Sequence, residues 1–258
     1  MIIRHFGNGK ELKTVEVKPP KRIVNLLVYH IFNTSKDYST EYLENCIKCH
    51  IDNSIRLGWR KEDIIIKGNI PIDHSGVTCT PIHEIENYQF TGQNIFLCKL
   101  LSLIEVYNQY KCDIWLHDHD TWQVQKFPEI ALEKDFIFCN YACDWIKPQG
   151  ASVFVKYDGN KAIKLIEDYI INKKYHKKDN DESILELFRS KYPDGFNSDM
   201  SIKFNSSITR TTHSRRFDEN CYCFHGDINN GRNVGRRLSK VKNYDDELKN
   251  LFRKFKLL

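Results

Sequence analysis

The segment CDIWLHDHD, residues 112–120, joins a short apolar run to four polar side chains. Its first five residues predict a buried strand, so the polar side chains lie where that strand ends. Asp118 and Asp120 offer hard oxygen ligands, which suit Mg²⁺ or Mn²⁺. His117 and His119 offer a His-x-His pair, which suits Zn²⁺ or Fe. The segment therefore predicts a metal site at a strand end and leaves open which pair holds the metal.

The spacing of the four side chains separates the two pairs if the backbone continues extended. Alternate side chains of a strand point to opposite sides, so Asp118 and Asp120 share one face and His117 and His119 the other. The plain alternative is a solvated turn without a metal, but the two tryptophans that flank the segment argue against it. A metal-dependent hydrolase that uses the histidine pair is a second alternative.

Apolar runs rich in β-formers alternate with helical apolar stripes along the chain. They predict strands over 22–29, 63–69, 112–116, 135–140 and 151–157, and helices over 41–57, 94–107, 160–171 and 182–192. This alternation predicts an α/β domain with a mostly parallel sheet, in which ligands bind outside the carboxyl ends of the strands. Residues 70–92 show no clear period and predict a long loop.

The basic charge of the chain is concentrated in its C-terminal segment. The formal charge is +5, and between Arg232 and Leu258 Lys and Arg exceed Asp and Glu by six. A nucleic-acid binder more often carries a basic face within its domain, so nucleic acid is not the predicted partner. The segment ELKNLFRKFKLL (247–258) predicts a basic amphipathic helix. It either docks on its own domain, the commoner arrangement, or makes a peripheral contact with an anionic membrane.

The nine cysteines and the absence of a long apolar run predict a cytoplasmic protein with reduced thiols, or a membrane-peripheral one if the basic helix rests on a membrane. The segment CIKCH (46–50) fits the attachment pattern of c-type haem, which requires export. A loosely spaced zinc site from Cys46, Cys49, Cys221 and Cys223 is a further alternative.

The order of these motifs resembles the GT-A superfamily of glycosyltransferases. LHDHD at 116–120 is similar to its DxD motif, and GASVFVKY at 150–157 to the strand that follows that motif. NDESILELF at 180–188 resembles a helix start that carries an acidic residue, and CFHGDINNGR at 223–232 a late His-Gly element. The resemblance spans roughly residues 22–235 in motif order and identifies no sequence family.

The resemblance implies a Rossmann-like GT-A domain at 21–235, with a lead-in at 1–20 and a basic C-terminal helix at 236–258. It implies a transferase that moves a hexose or pentose from a UDP- or GDP-linked sugar to a hydroxyl acceptor such as a glycan. Mn²⁺ or Mg²⁺ would be the cofactor, and inversion or retention stays open. The alternatives are a metal-dependent hydrolase or nucleotidyltransferase, and a non-catalytic carbohydrate- or nucleic-acid-binding protein.

The matched motifs also imply roles for individual residues. Asp118, Asp120 and His225 would hold the metal. An inverting enzyme needs a carboxylate that deprotonates the acceptor, and Asp181 and Glu182 are the candidates, although an acidic first-turn residue also stabilises a helix without chemistry. The nucleotide and diphosphate would contact residues after the first strand, in the 70–92 segment and near the His-Gly turn: Tyr29, His30, Asn33, Asp73, Gly226 and Arg232.

Overall fold

The computed structural model describes most of the chain in several segments. These are residues 2–3, 15–16, 22–29, 39–82, 96–130, 132–140, 148–197, 200–207, 217–226 and 238–258. The predictions for His30, Asn33 and Arg232 lie outside the described residues, as does most of the 1–20 lead-in. The lead-in contributes a short antiparallel pair of strands, β1 Ile2–Ile3 and β2 Val15–Glu16.

The described residues form five α-helices, fourteen short or long strands and three single turns of 3₁₀ helix. The α-helices are α1 Thr40–Arg56, α2 Leu97–Tyr110, α3 Ala162–Ile171, α4 Asp181–Lys191 and α5 Asp246–Lys254. The strands are β1 Ile2–Ile3, β2 Val15–Glu16, β3 Ile23–Val28, β4 Ile64–Gly68, β5 Asp73–His74, β6 Val77–Thr78, β7 Thr80–Pro81, β8 Asp113–His117, β9 Thr121–Gln123, β10 Phe136–Asn140, β11 Pro148–Val155, β12 Phe196–Asn197, β13 Ser206–Ser207 and β14 Cys223–His225. The 3₁₀ turns are Lys61–Asp63, Pro193–Gly195 and Ile202–Phe204.

Seven strands form the central sheet, in the order β12–β10–β11–β8–β3–β4–β7. All neighbours pair in parallel except at β11, which runs antiparallel to both β10 and β8. The predicted α/β fold with a mostly parallel sheet flanked by helices is confirmed. The carboxyl ends of β3, β4 and β8 meet at one edge of this sheet, and Asp118 follows β8 there.

The side chains of β3 alternate between two apolar cores, which explains why this strand is apolar along its whole length. Val24 and Leu26 face a core that includes helices α2, α3 and α4, whereas Leu27 faces a core shared with α1. Strands buried on both faces are expected to read as continuous apolar runs. Helix α1 therefore covers one face of the sheet, and helices α2, α3 and α4 cover the opposite face.

A second, three-stranded sheet joins two distant parts of the chain, in the order β13–β14–β9. Strand β9 begins directly after the HDHD segment and pairs antiparallel with β14, so that His225 lies opposite Thr121. Because β14 carries the late His-Gly element, this pairing brings His225 to the end of β8.

The prediction of a long loop over 70–92 is wrong for its first part, since residues 73–81 contain three short strands. Strands β5 and β6 form a hairpin closed by Ser75 and Gly76, whose φ angles are 54° and 78°. Positive φ at both central residues is typical of the tight turns that close two-residue hairpins. Residues 83–95 lie outside the described part of the chain.

The basic C-terminal helix α5 docks on its own domain, as the commoner of the two sequence alternatives predicted. Its N-cap is Asp245, whose side chain accepts from the Leu248 N–H at 2.8 Å. Leu248 and Phe252 are fully buried, and the Phe252 ring meets the Trp122 ring edge-on at 4.8 Å between centroids. Leu248 and Phe252 of α5 thus pack against protein, whereas Leu258 at the chain end is 57% exposed. None of the described helices is long and apolar enough to span a lipid bilayer.

Candidate active site

The end of β8, the turn after it and the end of β14 bring three metal-type ligands together. One ligand atom from each of Asp118, Asp120 and His225 lies within 4.8 Å of the other two. His225 Nε2 is 3.2 Å from Asp120 Oδ2, and His225 is buried whereas the two carboxylates are half-buried. Two carboxylates and one imidazole form a donor set that fits Mn²⁺ or Mg²⁺. Among the described residues, this is the only group of three or more such ligands.

The HDHD segment folds into a tight turn, so the extended backbone assumed from the sequence is wrong. Thr121 N–H donates to the Asp118 carbonyl oxygen at 3.1 Å, and Asp118 N–H donates to the Ala151 carbonyl oxygen at 3.1 Å. The Thr121 hydroxyl also donates to the Ala151 carbonyl oxygen, at 2.9 Å. The two aspartates therefore lie close together because the chain makes a turn that is hydrogen-bonded to β11, and not because alternate residues of a strand share a face.

A buried lysine of α2 ties one ligand carboxylate to the start of α4. Lys99 Nζ lies 2.5 Å from Asp118 Oδ1 and 2.9 Å from Asp181 Oδ2, and it donates to the Gly150 carbonyl oxygen at 2.8 Å. Burial alone would lower the pKa of Lys99, but the two carboxylates raise it above its ordinary value. Burial raises the pKa of Asp118, which Lys99 opposes. One ammonium group thus balances only part of the negative charge, and a divalent cation would balance the rest.

Sequence reasoning did not identify Lys99 as a site residue. It lies within a helix whose neighbouring side chains, Cys98 and Leu100, are buried in the core. A lysine is almost never fully buried unless it is paired. A lysine between apolar neighbours, one of two charges in the helix predicted over 94–107, was therefore the available signal.

Helix α4 approaches the ligand set because of a cap and a glycine. Asn180 caps the helix with its side chain, so the first turn begins with Asp181 and Glu182. Glu182 Oε1 accepts from the Gly150 N–H at 3.0 Å. A Cβ on Gly150 would lie 2.7 Å from Asp181 Oδ2, too close for any other residue without a shift. Both predicted catalytic carboxylates therefore lie beside the site. Asp181 is linked to Asp118 by Lys99, and Glu182 is hydrogen-bonded to Gly150.

The two histidines of the HDHD segment have partners outside the ligand set. His117 donates from Nε2 to Asn25 Oδ1 at 2.7 Å, and its ring stacks on Trp115 at 4.1 Å between centroids. Burial lowers the pKa of His117 well below its ordinary value, and its Nδ1 lies 3.0 Å from the Asp118 carbonyl oxygen. The carbonyl oxygen of His119 lies 2.7 Å from His50 Nε2. Neither histidine belongs to the described ligand group, so the His-x-His metal alternative is not supported.

The remaining predicted binding residues have different surroundings. Tyr29 is almost completely buried, and its ring covers Gly68 so closely that a Cβ there would lie 2.2 Å from it. Asp73 is exposed on β5. Gly226 has a φ of 146°, which favours glycine, and its N–H donates to the Asp120 carbonyl oxygen at 2.9 Å. Gly226 therefore contacts the ligand turn directly.

The cysteine-based alternatives are wrong. The cysteines whose side chains the structure describes are all buried. Cys46, Cys49 and Cys221 belong to one apolar core, whereas Cys223 belongs to another. None of these four joins a described metal-type group, and buried thiols at CIKCH are not accessible for haem attachment.

The chain has the GT-A fold that glycosyltransferases use. Among solved structures, mouse xyloside xylosyltransferase 1 is similar to this chain with a TM-score of 0.54 and 8% identity, over 81% of this chain and 99% of the mouse chain. A galactosyltransferase, LgtC, has a TM-score of 0.49 at 9% identity, over 88% of this chain and 99% of its own, a level that adds no further support. No protein-family model and no curated protein matches the sequence. At these identities the similarity establishes the fold alone.

Proposed function

We propose that this protein is a metal-dependent glycosyltransferase that moves a sugar from a nucleotide-diphosphate donor to a hydroxyl acceptor. The observation that carries the proposal is the Asp118–Asp120–His225 ligand set at the carboxyl end of a parallel strand in a GT-A fold. Ligands of open α/β sheets bind at this edge. The proposed donor is a UDP- or GDP-linked hexose or pentose, and the acceptor is a glycan or another hydroxyl compound.

In this proposal Asp118, Asp120 and His225 hold Mn²⁺ or Mg²⁺. An ion held there would supply positive charge for the leaving diphosphate, so no protein acid would be required at that oxygen. Lys99 holds Asp118 in its ligating position. The absence of a side chain on Gly226 lets the backbone approach phosphate closely, and Arg232, six residues further along the sequence, is the proposed source of added positive charge.

Asp181 and Glu182 are the proposed bases of an inverting reaction, in which one carboxylate takes the proton of the acceptor hydroxyl. Asp181→Asn and Glu182→Gln separate the two candidates. Loss of the base is expected to lower kcat by roughly 10²- to 10⁴-fold. Donor affinity is the control for Glu182→Gln and stays unchanged there, whereas Asp181→Asn is also expected to weaken donor binding, because Asp181 shares Lys99 with the ligand Asp118. Losses below tenfold in both variants would contradict a base at either position and favour retention.

The metal-dependent use of a nucleotide sugar is tested by thermal denaturation. Nucleotide sugars are screened with Mn²⁺, with Mg²⁺ and with EDTA, and those that stabilise the protein are tested for hydrolysis to the free sugar. We expect stabilisation by a UDP- or GDP-sugar only when the metal is present, because an ion held by Asp118, Asp120 and His225 would supply the positive charge that the diphosphate needs. Metal-independent binding, or no binding by any nucleotide sugar, would contradict the proposal.

Asp120→Ala and His119→Ala form a matched pair within the same turn. We expect Asp120→Ala to abolish metal-dependent nucleotide binding because it removes a ligand. His119→Ala is expected to preserve it, because His119 contacts α1 through its backbone carbonyl. The reverse pattern with co-purified zinc would favour a metal-dependent hydrolase. Binding to a glycan or to DNA that EDTA leaves unchanged would favour a non-catalytic binding protein.

A further inference from the structure

Helix α1 presents three buried polar side chains to residues 117–123, the ligand segment, which contains the metal-ligand turn. His50, Asn53 and Ser54 are spaced i, i+3 and i+4, so they lie on one face of the helix. Each is at most 6% exposed. A helix face that packs on a sheet is normally apolar, and buried polar groups cost free energy unless they are hydrogen-bonded. The hydrogen-bond partners of these three residues, the polar stripe, therefore explain why this buried face of α1 is polar.

Two residues of the polar stripe bond directly to the backbone of the ligand segment. His50 donates from Nε2 to the His119 carbonyl oxygen at 2.7 Å. Asn53 donates from Nδ2 to the Gln123 carbonyl oxygen at 2.7 Å. Arg56 donates to Asn53 Oδ1 at 2.9 Å, which keeps the amide of Asn53 turned toward its partner. The middle and the end of the segment are thus held by α1.

Ser54 reaches the start of the turn through a side chain of β3. Asn25 donates from Nδ2 to Ser54 Oγ at 3.0 Å, and Asn25 Oδ1 accepts from His117 Nε2 at 2.7 Å. The polar stripe therefore contacts the beginning, the middle and the end of the ligand segment through continuous hydrogen bonds.

His50 has the shortest connection to a ligand residue. Its acceptor, the His119 carbonyl, belongs to the peptide group that joins His119 to Asp120. The His50 ring stacks on Trp122 at 3.9 Å between centroids and 9° between planes, which fixes the direction of its N–H. The next carbonyl, that of Asp120, accepts from the Gly226 N–H at 2.9 Å. Asp120 is thus held by backbone hydrogen bonds on both sides of its Cα.

We infer that α1 positions the metal-ligand turn and that His50 is its main positioning residue. The inference rests on the proposed metal-dependent function for its purpose, whereas the hydrogen bonds do not depend on a bound ion. It also explains the CIKCH segment, in which Cys46 and Cys49 belong to the apolar core and His50 holds the turn.

Three single variants of α1 test the inference. His50→Phe keeps an aromatic ring beside Trp122 but has no N–H donor, and His50→Gln keeps a donor. Ile51→Val is the control for lost packing, since Ile51 is fully buried in a different core. Mn²⁺ affinity is measured by electron paramagnetic resonance, and amide hydrogen exchange of residues 117–121 is measured in the metal-free protein.

We expect His50→Phe to weaken Mn²⁺ binding roughly tenfold or more, as is usual for residues that orient metal ligands. We also expect faster exchange of the turn amides. His50→Gln is expected to recover most of both properties, and Ile51→Val to change neither. Wild-type affinity and exchange in His50→Phe, or an equal change in Ile51→Val, would overturn the inference.

The outcome separates this inference from the proposed function. If the wild-type protein binds neither Mn²⁺ nor Mg²⁺, the proposed function fails, and amide exchange alone decides whether His50 positions the turn. If His50→Phe does not fold, Asn53→Ala replaces it, because it removes the parallel hydrogen bond to the Gln123 carbonyl. Unchanged exchange of the turn amides in Asn53→Ala then overturns the inference.

Discussion

The two sides of the ligand set are built by different means. On the charged side, Lys99 holds Asp118 and Asp181 in a buried ion-paired cluster. On the backbone side, peptide groups hold Asp120, whose carbonyl oxygen accepts from the Gly226 N–H. The charged side therefore depends on charge balance, and the backbone side depends on the path of the chain and on what packs behind it. Substitutions are expected to affect the two sides by different physical routes.

Lys99→Met tests the charged side and has the largest expected effect on stability. It leaves the buried Asp181 and the half-buried Asp118 without their counter-charge, which costs about 3–5 kcal/mol of unfolding free energy. Urea denaturation measures this loss. Lys249→Met is the control, because Lys249 forms a surface pair with the exposed Asp246 and is expected to lose less than about 1 kcal/mol. Equal losses in the two variants would contradict the role of charge balance.

Phe252→Ala tests the backbone side through the packing behind it. The Phe252 ring is fully buried against Trp122, which follows the ligand turn, so its removal is expected to cost about 3–4 kcal/mol. Leu258→Ala, at a position 57% exposed, is expected to change stability by less than about 0.5 kcal/mol. Urea denaturation of both variants checks the difference. A loss below about 1 kcal/mol in Phe252→Ala would show that α5 does not support this side.

Gly150→Ala returns to the charged side with a smaller expected effect. The added Cβ meets Asp181 Oδ2 and forces a local shift, at an expected cost of about 1–3 kcal/mol. Metal-dependent nucleotide binding is expected to weaken as well, because Asp181 and Asp118 share Lys99. Gly159→Asn is the control, since a Cβ at Gly159 meets open space and Asn tolerates positive φ. Thermal denaturation and nucleotide titration of both variants measure the two effects. If Gly150→Ala behaved like its control, the close contact between Gly150 and Asp181 would be contradicted.

Asp52 supports the backbone side by joining α1 to α5, and its removal has the smallest expected effect. Partial burial would raise its pKa, but hydrogen bonds from Lys254 and Ser75 and the neighbouring His74 lower it below 3.8. Because the folded-state pKa is the lower one, this stabilisation is present above about pH 4 and is lost as the pH falls through the folded-state value.

Comparison of the wild-type protein with Asp52→Asn measures this contribution. The difference in unfolding free energy is expected to be about 1 kcal/mol or less near neutral pH, as for other partly exposed pairs. It is expected to shrink at acid pH, as the pH falls through the folded-state pKa of Asp52. A difference that stays constant between these two conditions would show that Asp52 acts by something other than its charge.

The apolar pattern predicted the central sheet because its strands are buried on both faces. Leu26 and Leu27 of β3 face opposite cores, so the run had to be apolar throughout. The aspartates that follow β8 were predicted from a local motif, and His225 from a resemblance. The structure brings all three together. Short-range patterns were sufficient for these features.

The remaining parts of the site depend on contacts between distant residues. Lys99 meets Asp181 across 82 positions, and His50 meets the His119 carbonyl across 69. In sequence Lys99 is a charge between apolar neighbours, and His50 is one of many polar residues in an amphipathic helix. The turn at Asp118 was also not predicted, because its hydrogen bond to Ala151 comes from the antiparallel neighbour β11. Such pairings are properties of the folded chain and leave no local pattern.

The pairing of β9 with β14 has a consequence for the order of folding. Because His225 lies opposite Thr121, this contact closes a loop of about one hundred residues. Closing such a loop costs chain entropy before native contacts can compensate for it, so we expect the two strands to join late. A cation that binds the completed site would then slow unfolding and leave the rate of folding nearly unchanged.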